Sequence, residues 1–430
     1  MRVLLVAEAA NPEWVSVPLV GWSLARALAS VADVHLVTQV RNRAAILRAG
    51  LREGEDFTAI DSEAVAAPLW RLGERLTGGQ GKGWTMLQAA GTLAYPHFER
   101  LLWRRFGADL RAGRFDLVHR VTPLSPTAPS PLAPRLKALG VPFVLGPLNG
   151  GVPWPRAFQA ERRAEREWLS YARGLARLLP GRAATFRDAS AILAGSRHTA
   201  SEVPPAQRRK VAWLPENAVD PRRFLAPAAR PPGPLRAAFV GRLVPYKGPD
   251  MALEAAAPHL RAGRMTLDVV GDGPLMPSLR AQGQGLPGVA FHGWLPQEGV
   301  ARVFSASHLF LFPSIREFGG GAVVEAMATG CAPVVVDYAG PGEIVDDATG
   351  WRVPLAPRPA LVAALSALLG RLLADPAAVA ARGEAARART LRDLTWEAKA
   401  RHIGFVYDWV LSGGHGPAPQ PLGPPPPETS

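Results

Sequence analysis

The sequence predicts an α/β protein built from two doubly wound, mostly parallel sheets. Three observations carry this. Short apolar runs recur along the chain, each followed by a segment of helical period, and that alternation marks βαβ units. The pattern breaks at a Pro-rich stretch, Asp220 to Leu235 (DPRRFLAPAARPPGPL), and then restarts. The chain has 430 residues, which suits two ordinary domains.

In the first half the predicted strands are Arg2–Ala7 (RVLLVA), Asp33–Thr38 (DVHLVT), Asp116–Arg120, Val141–Leu145, Ala191–Ala194 and Val211–Leu214. Leu19, Leu24, Ala25 and Leu28 recur at helical spacing after the first of them. In the second half they are Arg236–Val240, Thr266–Val270, Val289–His292, Leu309–Phe312 and Pro333–Val336. Residues 1–219 and 220–393 are therefore expected to be two Rossmann-like domains. A separate helix is expected at 394–412, with Trp396, Ile403, Val406 and Val410 on its apolar stripe. The Gly/Pro-rich end, 413–430, cannot form a core and is expected to be a disordered tail. Ligands of such sheets bind at the carboxyl ends of the strands.

Hydrophobic residues make up 48% of the chain and charged residues 20%, an ordinary globular balance. Cys331 is the single cysteine, so neither a disulfide framework nor a cysteine metal site can be built. The first apolar run stops at Glu8, too early for a signal segment, and no stretch reaches the roughly 20 apolar residues of a bilayer span. A cytoplasmic protein is expected, with any membrane contact peripheral at the inner face. The net charge of +13 and pI of about 10.8 would attract anions, although a compositional preference for Arg explains them equally well. No zinc-finger or RNP spacing is present, and Gly78–Gly83 (GGQGKG) lacks the spacing of a Walker loop, so nucleic acid is not an expected partner. Arg100, Arg104, Arg105, Arg111 and Arg114 form one basic cluster. A second, from Arg156 to Arg187, is interleaved with Trp168, Leu169, Leu175, Leu178 and Leu179. Both read either as an amphipathic surface for anionic membrane or as solvated helix faces.

The chemistry concentrates in Pro313–Val336, PSIREFGGGAVVEAMATGCAPVVV. Glu317 and Glu325 flank Gly319, Gly320 and Gly321, between a predicted strand and a helix. Glycines let backbone approach a ligand, and a helix start offers free N–H groups to a diphosphate. Glu325, one turn into the helix, leans back toward that start. A second strand–loop–helix element, Phe239–Gly248 (FVGRLVPYKG), carries Arg242 and Lys247. Two fixed cations suit the charge that builds on a departing diphosphate. Each element alone could be a plain turn with solvated charges; together they read as a nucleotide-sugar site.

These segments resemble glycosyltransferase family 4, whose members have the GT-B fold. The resemblance runs through Gly271-Asp272-Gly273-Pro274, the turn at Gly293-Trp294, the E-x7-E element with EAMATG, Pro341-Gly342-Glu343 and Thr349-Gly350-Trp351. It implies two Rossmann-like domains facing across a cleft, an acceptor-binding first and a donor-binding second, with the C-terminal helix crossing back to the first. It implies a retaining, metal-independent transfer of a hexose-type group from a UDP-, GDP- or ADP-sugar, without a cofactor, to a glycan or lipid-linked glycan hydroxyl in polysaccharide biosynthesis. Arg242 and Lys247 would bind the diphosphate. Glu317 would hold the transferred sugar, Gly319–Gly321 would offer N–H groups, and Glu325 would bind the ribose. Gly271, Trp294 and Leu295 would line the base site. A nucleotide-sugar epimerase of the same fold, or a non-catalytic nucleotide-sugar or glycan binding protein, are the alternatives.

The first domain departs from the family. Where a Gly-Gly pair is usual after the first strand, the chain reads Glu8-Ala9-Ala10-Asn11-Pro12-Glu13-Trp14-Val15-Ser16. Trp14 and Ser16 are thus candidate acceptor-side residues, as are Asn149 and Trp154 of the segment GPLNGGVPW. Trp154 is equally a core filler. His119, at the end of a predicted strand, is placed either to touch a sugar hydroxyl, as the family's histidine does, or to serve structurally. Arg120 could meet an anionic group or form a salt bridge. Asn217, in LPENAVD, stands in the family's NGVD-like element.

Overall fold

The computed structural model describes residues 1–77, 84–164, 179–225, 230 and 233–423. The chain forms two compact units. The first holds Met1–Gly151, Arg166–Glu216 and Lys399–Pro424; the second holds Val152–Glu165 and Asn217–Ala398.

The first unit carries a seven-stranded sheet of β1 (Arg2–Ala7), β2 (Asp33–Gln39), β3 (Phe57–Ile60), β4 (Leu117–Thr122), β5 (Phe143–Leu148), β6 (Ala191–Ala194) and β7 (Val211–Trp213). The order is β3-β2-β1-β4-β5-β6-β7, and every pairing is parallel. Val3 to Ala7 are all buried, as expected of a strand covered on both faces. Leu4, Val6, Val118 and Leu145 share a core with Phe98, Leu102 and Phe106 of the helix Trp84–Arg111. Each fully buried side chain of this kind contributes about 1.5–3 kcal/mol.

The second unit has a six-stranded parallel sheet of β8 (Leu235–Val240), β9 (Met265–Val270), β10 (Val289–Gly293), β11 (Leu309–Phe312), β12 (Ala332–Val336) and β13 (Trp351–Val353). Its order is β10-β9-β8-β11-β12-β13. Phe310 and Phe312 stack at 5.0 Å in its core, and Cys331 is buried, with its thiol pushed up to about 12 by that burial. Both sheets switch direction of winding beside their first strand, which is where such folds bind ligand.

Strands β3 and β13 are the two that the sequence pattern did not predict. They have four and three residues and lie at sheet edges, too short to show a periodicity. The expected disordered tail is a further difference. As far as Gly423 it is placed, and it lies along the edge strand β7: Ala418 N–H donates to the Arg209 carbonyl at 2.8 Å, and the Gln420 side chain bonds Trp213 N–H and the Val211 carbonyl. Gly78–Gly83, Trp168, Leu169, Leu175 and Leu178 lie outside the described residues. Among the described residues no single helix is long and apolar enough to cross a membrane.

Candidate functional site

Two loops at the carboxyl edge of the second sheet build the site. β8 leads through Gly241–Val244 into the turn Pro245–Lys247, and Pro249 then opens the helix Pro249–Arg261. β11 leads through Pro313–Gly320 into the helix Gly321–Ala328. The loops are fastened together: Ile315 N–H and the Ser314 hydroxyl both donate to the Tyr246 carbonyl, at 2.9 and 3.1 Å. The fastening sets Lys247 in a direct ion pair with Glu317, with 16% and 18% of the two side chains exposed. The Lys247 ammonium also lies 5.2 Å from the centre of the Phe312 ring. Burial, and then the charge of Arg242, pull Lys247 down to about 7; the Glu317 carboxylate it touches opposes both. The Arg242 side chain is exposed, and makes no hydrogen bond or ion pair among the described residues.

Gly320 stands at φ 60°, a conformation that favours glycine, and its carbonyl accepts from Val323 and Val324. The N–H groups of Gly321 and Ala322, at the helix start, have no intrahelical acceptor. Glu325 follows one turn on. Its carboxyl is raised to about 7 by burial, and among the described residues it has no hydrogen-bond partner. The Asn217 side chain lies against Gly321, 3.5 Å from where a Cβ would stand. On the other flank, Gly271 N–H donates to the Gly293 carbonyl at 2.8 Å, and Leu243 N–H to the Asp272 carbonyl at 2.9 Å. A Cβ on Gly271 would collide with the Gly241 carbonyl, so this close approach requires glycine. Trp294 is 73% exposed beside this turn, and Leu295 packs half-buried on the core. The second unit therefore brings together at one sheet edge all of the donor-side residues expected from sequence.

The first-unit candidates fare differently. His119 is fully buried, and both ring nitrogens are occupied, Nδ1 by the Tyr407 hydroxyl and Nε2 by the Gly146 carbonyl, each at 2.6 Å. Burial pulls it down to about 4. It cannot reach a sugar hydroxyl, and the catalytic assignment is corrected to a structural one. Arg120 is buried as well, donating to the Ala128 carbonyl at 3.0 Å and lying 5.3 Å from the Tyr95 ring, so it faces no anionic acceptor. Asn149 is buried, giving its amide N–H to Glu216 at 2.6 Å and accepting from Gly150 N–H at 2.8 Å; it too is withdrawn from the acceptor side. Trp154 belongs to the second unit, is 8% exposed, and packs between Tyr246 and the Arg316 guanidinium, as a core filler does. Trp14 and Ser16 remain exposed. Ser16 holds φ 64° at the start of the helix Val17–Leu28, without capping it through its side chain.

The model of the family described as glycosyl transferases group 1 matches residues 234–371. The 2-deoxystreptamine glucosyltransferase of Streptomyces kanamyceticus is 33% identical over 349 residues, 75% of this chain and 81% of its own. The chain belongs to the glycosyl transferases group 1 family. A second relative, the 2-deoxystreptamine N-acetyl-D-glucosaminyltransferase of Streptomyces fradiae, is 30% identical over 401 residues, 86% of each chain. Among solved structures, HepE of Anabaena in complex with UDP is similar with a TM-score of 0.60 and 14% identity, over 94% of this chain and 98% of that one. This glycosyltransferase thus has the GT-B fold, with two parallel-sheet Rossmann-like units.

Two features of the glycosyltransferase escaped the sequence reading. One is that Lys247 and Glu317 hold each other, which requires the loop fastening and has no local signal. The other is Glu8, directly after β1. Its place at a strand's carboxyl end was visible, but nothing in the sequence shows that its carboxylate stays unpaired among the described residues.

Proposed function

We propose that this glycosyltransferase, as a family 4 enzyme, moves a hexosyl group from a nucleoside diphosphate sugar to an acceptor hydroxyl, retaining anomeric configuration and using neither metal nor organic cofactor. The observation that carries the reading is the Lys247–Glu317 pair, set beside an unpaired Arg242 and an unpaired Glu325 at the start of the helix Gly321–Ala328. In this reading Arg242 and Lys247 neutralise the departing diphosphate, a role that fixed cations fill without reorganising. Diphosphate binding frees Glu317 from Lys247 to hold the hydroxyls of the transferred sugar. Glu325 takes the ribose hydroxyls, and the helix start takes phosphate oxygens. Trp294 offers a face to the base.

UDP is the nucleotide we favour, because the HepE structure holds it. The relatives that align over most of the chain are named for 2-deoxystreptamine, so we favour a small polyhydroxylated ring as acceptor over a glycan or lipid-linked glycan. A thermal-shift screen with UDP, GDP, ADP and dTDP tests the donor half. Ligand at about 100 times its Kd stabilises by roughly 2.7 kcal/mol, a shift of several degrees. UDP is expected to give that shift in the natural protein, and Arg242→Ala to abolish it. No shift with any nucleotide would refute the donor site. Sugar isomerised without an acceptor would point to an epimerase instead.

A further inference from the structure

The loop that follows β1 carries an unexplained carboxylate. The Glu8 carbonyl is held three times over, by Gln39 N–H at 3.2 Å, the Thr38 hydroxyl at 3.2 Å and the Asn42 amide at 2.9 Å. Its neighbour Ala9 donates to the Thr122 hydroxyl at 3.0 Å. The backbone of Glu8 and Ala9 is thus anchored to the ends of β2 and β4. Yet the half-buried Glu8 carboxylate receives no hydrogen bond and makes no ion pair among the described residues. The nearby cation, Arg41, is committed elsewhere: it donates to Glu63 at 2.9 Å and to the Gln39 side chain at 2.9 Å. Glu63 in turn also accepts from the Gln39 amide.

A desolvated carboxylate without a donor is costly, and folds keep such groups where a ligand supplies the partner. Burial accordingly raises Glu8, with Arg41 opposing and Glu63 adding to the rise. Its place is the carboxyl end of a central parallel strand, where α/β sheets bind ligands. Trp14 and Val15, on the same loop, are 45% and 76% exposed. A hydroxyl could fill one lone pair, but only a cation compensates the charge, and charge-assisted bonds are about twice as strong.

We propose that Glu8 is a specificity-determining residue of the acceptor subsite, binding an ammonium group of an amine-bearing ring acceptor. This rests on the reading that the first unit takes the acceptor. The test is calorimetric titration of the full-length protein at pH 7, with UDP present, using 2-deoxystreptamine and the uncharged ring myo-inositol. The natural protein should bind 2-deoxystreptamine more tightly than myo-inositol by about tenfold or more, as a charged hydrogen bond implies. Glu8→Gln should remove that preference and Glu8→Asp should restore part of it, with UDP affinity unchanged in both. The ligand-free Glu8→Gln protein should melt no lower than the natural one, since it loses an unpaired charge and no bond. No amine preference in the natural protein, or an undiminished one in Glu8→Gln, would overturn the assignment. So would a variant that loses UDP affinity and melting temperature together, which marks a structural role. Absence of UDP binding in the natural protein is a separate result and would count against the donor reading instead.

Discussion

Glu325→Gln should make the ligand-free protein more stable while weakening its hold on nucleotide. Burial raises the Glu325 carboxyl from an ordinary 4.5 to about 7. The folded protein therefore binds this proton more tightly than the unfolded chain does. Stability from that proton is full below pH 4.5, and is lost as pH rises through 7. A tenfold change in a protonation equilibrium is about 1.4 kcal/mol, so the rise from 4.5 to about 7 penalises the ionised form by about 3 kcal/mol above pH 7. Glutamine fills the same volume and does not titrate. The variant should match the natural protein near pH 4.5 and exceed it by about 3 kcal/mol at pH 8. Urea unfolding at a series of pH values, compared as the difference between the two proteins, isolates this residue from all other carboxyls. UDP affinity, measured on the same samples, should fall by about tenfold or more, as expected when a charged acceptor of ribose hydroxyls is removed. A stability difference that does not change with pH, or a variant less stable at pH 8, would refute the reasoning. Glu325 would then be satisfied in the free protein, not held open for a ligand.

Glu317→Gln should cut turnover by about a hundredfold or more, because the carboxylate is read as acting on the reacting sugar; near-normal kcat with an intact circular dichroism spectrum would remove Glu317 from the reaction. His119→Phe should lower stability by about 2–4 kcal/mol, since it strands the buried Tyr407 hydroxyl and Gly146 carbonyl. Its kcat/KM profile between pH 6 and 8 should keep the shape of the natural enzyme, because a histidine held near 4 does not titrate there. A lost limb in that profile would return His119 to the catalytic machinery.

The strand–loop–helix elements of the second unit were legible because their signals are local. Strand, glycine-bearing loop and helix follow one another within about twenty residues in both Phe239–Arg261 and Leu309–Ala328, and backbone geometry alone then aims the intervening side chains at the sheet edge. Arg242, Glu325 and Trp294 needed no distant partner to be recognised. What stayed hidden even there was the free-state contact of Lys247 with Glu317, seventy residues apart. The strands themselves were legible from their apolar runs, apart from the edge strands β3 and β13. The tail as far as Gly423 differs from the expectation because Ala418 N–H and the Gln420 side chain pair it with the chain at β7, and no composition or period encodes that.

The first unit shows why position at a sheet edge is not enough. Asn149 directly follows β5, while His119 and Arg120 lie inside β4, which runs on to Thr122, and all three are buried and hydrogen-bonded within the unit. His119 is taken by Tyr407, 288 residues later, and Asn149 by Glu216, 67 residues later. A sequence identifies the side chain but not its partner, so it overcounts polar residues as site residues wherever the fold supplies long-range acceptors. A more useful criterion is a desolvated carboxylate that no protein donor reaches, since its charge carries a cost that a ligand can offset. By that criterion Glu325 in the second unit and Glu8 in the first are candidates for ligand contact, and Glu8 lies in the segment that stands in place of the glycine pair expected from the family resemblance. With the acceptor on the first unit, as proposed, substitution at Glu8 is therefore expected to alter acceptor choice while leaving nucleotide affinity unchanged.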